Sequence, residues 1–196
     1  PIKPDTIQIT HQQPYGASYV RPQQFDGAAA YVQSSGLVAR EGLWVDTDQA
    51  YSASQITGLA SHMISAPTEI AAFYGGETAL DESYLLLVNG DGNLSVFHSV
   101  RSEKMAAWVP WTTMGTFKAV ATTPGKIFVA VERTLNAATV WTLEIFDEAR
   151  APLDCALRAT SGSPTKVFTG FGHLNNTLVD VVTKGHYLGT YTPSGG

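Results

Sequence analysis

Five histidines, one cysteine and 17 acidic residues supply the side chains of this sequence that could move protons, attack a substrate or hold a metal. His11, His62, His98, His173 and His186 each lack a second His, Cys or carboxylate at ligand spacing, so neither a metal nor a cofactor is expected. Asp46 and Asp48 form an Asp-x-Asp pair that in some enzymes holds a divalent ion, but here they precede a presumed helix and read as its capping acids. Asp91-Gly92-Asn93-Leu94-Ser95 opens like a calcium loop. Its sixth position is Val96 where glycine is needed, and Ser102 stands where the bidentate Glu belongs, so it reads as a turn. Cys155 has no histidine near it and reads as a packed thiol. The sequence has no Gly-x-Ser-x-Gly elbow, phosphate loop or dinucleotide fingerprint.

Sugar recognition needs exposed aromatic rings instead, and Trp44, Trp108, Trp111 and Trp141 are the candidates. Trp108 and Trp111 flank Pro110 near a strand end and Trp141 alternates with Val140 and Leu143, so packing is the simpler account of them. No Ser-x-Asp-x-Gly-x-x-Trp turn of the sialidase kind is present. These residues point away from an enzyme and toward a chain that acts by contact.

The elements that carry these residues must come from 196 residues, 44% hydrophobic and only 15% charged, against about 25% charged in an ordinary domain. That composition excludes disorder and leaves a surface poor in charge. A net charge of -5 has the wrong sign for gripping phosphates, so no specific nucleic-acid binding is expected. A single cysteine excludes an internal disulfide framework. The longest aliphatic run, Leu85-Leu86-Leu87-Val88, is far too short to span a bilayer as a helix, and no leader is visible, so no membrane partner is expected. The start at Pro1 and the end at Ser194-Gly195-Gly196 read as those of a piece of something longer.

Short apolar runs separated by Gly, Asn, Asp, Pro and Ser recur from Gly27 onward, which predicts an all-β chain. The clearest hairpin is Tyr84–Val88, turning through Asn89-Gly90-Asp91-Gly92 into Asn93–His98, with Asn-Gly and Asp-Gly to supply positive φ. Ala29–Gln33 with Leu37–Ala39, Ile127–Val131 with Thr139–Leu143, and Leu178–Val182 with Tyr187–Gly189 repeat its outline. Second strands starting at Leu37, Leu94, Thr139 and His186 lie 57, 45 and 47 residues apart, close to one propeller blade. Flanking strands at Ile70–Tyr74, Phe117–Ala121 and Met105–Val109 extend two of these hairpins into meanders. The expectation is two to three propeller-type antiparallel blades plus a small terminal β module, with a β-sandwich as the alternative. Its parts are an extended arm over 1–27, the meander region over 28–148, a linker over 149–164 and the module over 165–196. Between Thr47 and Thr68 the spacing of Ile56, Leu59, Ala60, Met63 and Ile64 predicts a short helix capped by Ser52 or Ser54.

The run Tyr84–Phe97, then Lys104-Met105-Ala106-Ala107-Trp108, then Phe117–Ala121, then Val131-Glu132-Arg133-Thr134-Leu135 through Val140, resembles the bacteriophage tail stabilisation, nozzle or tail-tube-B-like family. Gln12-Gln13-Pro14-Tyr15-Gly16 and Val20-Arg21-Pro22 fit its opening. Phe168–Leu174 and Val179–Gly185 look like the small β domain of that family named after a domain of ubiquitin-activating enzyme. Asn93 and Asn175-Asn176 depart from the family pattern, where a threonine and a glutamate-glycine pair are common.

The resemblance implies a structural component of a phage tail, located in the virion after assembly in the host cytoplasm, that works by oligomeric assembly around the DNA exit path. Its partners would be tail or adaptor proteins and copies of itself. Low charge content suits surfaces buried between subunits. The candidate assembly residues are Trp108 and Trp111 at a strand end and Tyr15, Tyr19 and Arg21 in the Pro-rich arm. The competing reading is a module that binds host-surface carbohydrate on the same scaffold.

Overall fold

The computed structural model describes residues 11–75, 83–146 and 154–194. Residues 1–10 of the expected arm and 147–153 around the expected linker start lie outside them. Among the described residues there is no α-helix, and every sheet is antiparallel, so the chain is all-β.

The first sheet is a meander of β1 (Gln23–Phe25), β2 (Ala28–Val32), β3 (Ala39–Val45) and β4 (Ala50–Gln55). The second is a meander of β5 (Glu69–Tyr74), β6 (Ser83–Val88), β7 (Leu94–Val100) and β8 (Met105–Trp111). The third joins β9 (Thr116–Thr123), β10 (Lys126–Leu135) and β11 (Ala138–Ile145), and a separate hairpin joins β12 (Val179–Thr183) to β13 (His186–Tyr191). Turn chemistry sets these hairpins: Asn136 and Ala137 at φ 50° and 59° close β10 to β11, and Lys184 and Gly185 at 46° and 80° close β12 to β13. At the β6–β7 turn only Gly92, at φ 86°, takes the positive angle. Gly90 is needed for another reason: a Cβ there would sit 3.0 Å from the Ala66 carbonyl oxygen.

In the middle sheet β6 and the start of β7 are buried on both faces, which is why β6 is a continuous apolar run rather than an alternating one. Leu85 and Leu87, with Phe97, pack against Phe25, Ala30, Val32 and Ala39 of the first sheet. Leu86 and Val88, with Leu94 and Val96, pack against Phe117, Val120, Val129 and Val131 of the third. Each leading strand touches the next, β1 against β5 and β5 against β9, while the outermost strands β4, β8 and β11 make no comparably close approach to one another. The three sheets therefore converge along their leading strands and splay at their outer edges.

The helix expected between Thr47 and Thr68 is absent. Residues 50–55 instead form β4, from Val45↔Ala50 to Arg40↔Gln55, because the unpaired edge of β3 offers more backbone hydrogen bonds than an isolated helix of Ser, Ala and Gln. Only a 3₁₀ turn, Ser61–Met63, remains, without a side-chain cap. Met63 and Ile64 are buried, whereas Leu59 is fully exposed, so the helical spacing does not describe one face. Asp46 and Asp48 thereby lose their capping role. They lie in the β3–β4 turn, where the Asp46 carboxylate accepts a 2.7 Å hydrogen bond from Trp44 Nε1.

The expected arm carries structure as well. Ser18 N donates to the Val32 carbonyl and Ser34 N to that of Gly16, each at 2.8 Å. Val20 and Phe25 are buried, and Phe25 belongs to β1. Asp154 and the following residues up to Pro164 contain no strand.

Candidate functional site: a groove across the leading strands

The converging leading strands leave an open groove of about 430 Å³. Its walls come from Tyr19–Arg21 ahead of β1, Thr68–Ala71 at the start of β5, and Val120–Thr122 in β9. Glu69 Oε2 accepts a 2.7 Å hydrogen bond from Val120 N, and Thr122 Oγ1 donates at 2.7 Å to the Ala72 carbonyl, so side chains stitch β5 to β9 across the groove floor. Tyr19 is fully exposed and Arg21 exposed at its rim. The titratable side chains lining it are Tyr19, Arg21 and Glu69, of which Glu69 is already engaged with backbone. The groove thus offers a cation, a phenol and amide faces: chemistry for contact, without a nucleophile beside a base.

The other candidates from the sequence go elsewhere. Tyr15 lies 3.5 Å from the Arg40 guanidinium, over the outer side of the first sheet. Trp108 is half-buried, tilted on Phe97 with ring centroids 4.9 Å apart, and donates from Nε1 to the Ile56 carbonyl at 2.8 Å. Trp111 lies tilted on Phe146 at 4.6 Å and meets Tyr84 edge-on at 6.0 Å. Both tryptophans are engaged inside the fold. The exposed indoles are Trp44 and Trp141, the second at 66%, which removes the core half of the core-or-interface packing expected for Trp141. Trp44 meets Tyr51 edge to face at 5.1 Å, and Tyr51 lines a second hollow of about 410 Å³ with Gln12, Gln13, Asp48 and Gln49. Gln12 and Gln13 there hydrogen-bond the backbone N–H and C=O of Tyr51, covering part of the β4 edge.

Sequence reasoning missed the two charged clamps. Arg101, after β7, bridges the first two sheets: its Nε lies 2.7 Å from the Asp26 carboxylate and its Nη2 2.5 Å from Glu41 in β3. The Glu41 hydrogen bond, working against burial, holds the guanidinium above its usual range. Arg133, 3% exposed, binds Glu144 through Nε at 2.6 Å and Nη2 at 2.8 Å, Thr113 Oγ1 at 2.7 Å and the Met114 carbonyl at 2.7 Å. Asp154 completes the cluster by accepting from Thr113 Oγ1 at 2.6 Å and Met114 N at 2.8 Å. Burial pushes the Glu144 carboxyl up, but hydrogen bonds from Arg133 and Thr142 outweigh it and leave the group below the usual carboxylate range.

Cys155 is exposed, not the packed residue expected, because the segment after Asp154 is anchored through Asp154 and not through an apolar side chain. Local burial, then the Glu144 carboxylate, push its thiol up, which disfavours a thiolate nucleophile. The signal for Arg133 lay in Glu132-Arg133-Thr134: in an alternating strand, one of two adjacent charges must face inward.

Among the described residues, no three His, Cys, Asp or Glu side chains converge as a metal site would require, and no helix is long and apolar enough to cross a membrane. The fold is an all-β chain of stacked antiparallel meanders with an open groove along the leading strands. No protein-family model matches the chain, and no curated protein matches its sequence.

Proposed function

We propose that this chain is a structural component of a bacteriophage tail, of the nozzle or stabilisation type, built from propeller-type blades and acting by protein-protein assembly around the DNA exit path. The observation that carries this reading is the charge-poor sheet face left open at the third meander. Register places Ala121, Phe128, Ala130, Trp141, Leu143 and Ile145 on one side of β9–β11, opposite the side packed on the middle sheet. Trp141, Leu143 and Ile145 are each more than half exposed. Of the charged side chains on that side, Lys118 and Glu132 pair at 3.3 Å, and exposed Lys126 stands at its edge opposite Thr123. A largely apolar face with little charge suits assembly and not turnover. The net charge of -5 suits a conduit that must release DNA and not retain it.

Mass spectrometry of purified virions tests the proposal. Peptides of this chain should appear in the tail fraction at a fixed ratio to other tail proteins; their absence from intact particles would sink it.

A second reading, a module for host-surface carbohydrate, is favoured by the exposed Trp44–Tyr51 pair beside the hollow lined by Gln12, Gln13, Asp48 and Gln49. Rings for a sugar's C–H face and planar polar groups for its hydroxyls stand side by side there. Hits on a glycan array that vanish in Trp44→Ala would favour it over assembly. Trp108→Ala is not the informative variant, because Trp108 is packed on Phe97.

A further inference from the structure

We infer that the hollow at the β3–β4 end of the first sheet binds an uncharged pyranose and turns acidic sugars away. This deepens the carbohydrate reading above and rests on it, not on the tail assignment. The first argument is the ring pair. Trp44 and Tyr51 are cross-strand partners, with ring centroids 5.1 Å apart and planes at 71°. Two rings so placed form a corner, one face for the C–H side of a sugar and a wall beside it. Trp44 Nε1 is already spent on the Asp46 carboxylate at 2.7 Å, so the indole is held in place and offers its carbon surface alone.

The polar groups around that corner are also held, each by one end. Gln12 Oε1 accepts from Tyr51 N at 2.9 Å, Gln13 Nε2 donates to the Tyr51 carbonyl at 3.4 Å, and Gln49 Nε2 donates to the Asp46 carbonyl at 3.1 Å. The backbone partner fixes which end of each amide is which. Among the described residues Gln12 Nε2, Gln13 Oε1, Gln49 Oε1 and Asp48 Oδ2 have no protein partner. The hollow therefore presents three acceptors and one amide donor. Hydroxyl groups, which donate and accept, match that set, and the Asp48 carboxylate strengthens any bond it accepts from one of them.

Charge then narrows the class of sugar. Asp48 is the charged residue among those lining the hollow, and no Lys, Arg or His of the described residues lines it. Arg40, the cation on the same side of β3, stands roughly 13 Å along the strand from Trp44. It is 9% exposed, lies beneath the Tyr15 ring and donates to Gln33 Oε1 and the Ala53 carbonyl. A uronate or sialate carboxylate would thus meet Asp48 and two amide oxygens with no cation to receive it. The volume of about 410 Å³ lies in the range of small-ligand sites.

Titrating the full chain with methyl glucoside, methyl galactoside and methyl N-acetylglucosaminide, and with the C6 uronates of the first two, tests this. The neutral glycosides should shift the amide NMR signals of residues 48–52. Each uronate should bind at least about fivefold more weakly than its parent at low salt, a gap that closes at high salt and in Asp48→Asn. Trp44→Ala should weaken neutral-sugar binding about tenfold or more, with Tyr51→Ser in its place if circular dichroism shows that it does not fold. Uronates that bind as tightly as their parents, or a gap that Asp48→Asn leaves unchanged, overturn the inference. So do shifts that fall outside residues 48–52. Glycan-array hits confined to acidic glycans overturn it and leave the carbohydrate reading standing, whereas no array hit and no shift with any glycoside remove both.

Discussion

Arg133 ties β10 to Glu144 of β11 and to Thr113 and Met114 ahead of β9, and its neighbourhood responds to acid in a defined direction. Removing one partner of a buried, hydrogen-bonded ion pair strands the other, so Arg133→Ala should cost about 3 kcal/mol in denaturant unfolding. A loss under about 0.5 kcal/mol would show the cluster to be solvated decoration. Glu144 is held below the ordinary carboxylate value in the fold, so the unfolded chain takes up this proton first. Its stabilisation is complete above the unfolded value of about 4.3 and drains away as pH falls through the lower folded value. Thermal midpoints measured from pH 7 to pH 3 should therefore fall more steeply for the wild type than for Glu144→Gln, which has no proton to gain. Parallel curves would remove Glu144 from the acid response.

The element scale shows how a polar residue can fix a loop where no secondary structure does. Asn89, 4% exposed, donates from Nδ2 to the Met63 carbonyl and to Ser95 Oγ at 2.9 Å, and accepts from Ser65 N at 3.0 Å. It pins the segment after β4 onto the β6–β7 turn. Asn89→Ala leaves Ser65 N without its partner, while Ser95 Oγ still donates to the Met63 carbonyl, and should cost about 1 to 2 kcal/mol, with amide exchange over residues 57–66 rising more than in β6. Equal exchange in loop and strand would show that the clasp is not local. The hairpin around Asn89 was legible because Asn-Gly and Asp-Gly between two apolar runs leave few other conformations. The segment it pins was not: Ile56, Leu59 and Met63 fall at helical spacing by coincidence, and the pairing of residues 50–55 with β3 depends on an edge that local spacing does not reveal. Likewise Arg133 and Arg101 act through partners as distant in sequence as Asp26 and Asp154, and the packing of Trp108 on Phe97 and Ile56 comes from neighbours that only the tertiary fold brings close.

Across the whole molecule, protection should be unequal, and the inequality tests which parts form one body. The three meanders share two apolar clusters in which Leu85, Leu86, Leu87, Leu94, Val32 and Val131 are all fully buried. The β12–β13 hairpin has no such cluster: Leu178, Tyr187, Leu188 and Tyr191 are each more than half exposed, and a hydrogen bond from Asn176 to Asn136 at 3.1 Å ties its neighbourhood to the third sheet. An isolated two-stranded hairpin is marginally stable in water, because the entropy of ordering it is not offset by burial. Native-state hydrogen exchange should therefore show amides of β6, β7 and β10 opening only with global unfolding. Those of β12 and β13 should exchange at least about a hundredfold faster. Urea should leave the strand signal of the meanders intact while hairpin amides are already unprotected. If β12 and β13 proved as protected as β6, their exposed aromatic and leucine side chains would have to be covered in solution, and the hairpin would count as a second surface of assembly beside the open face of the third sheet.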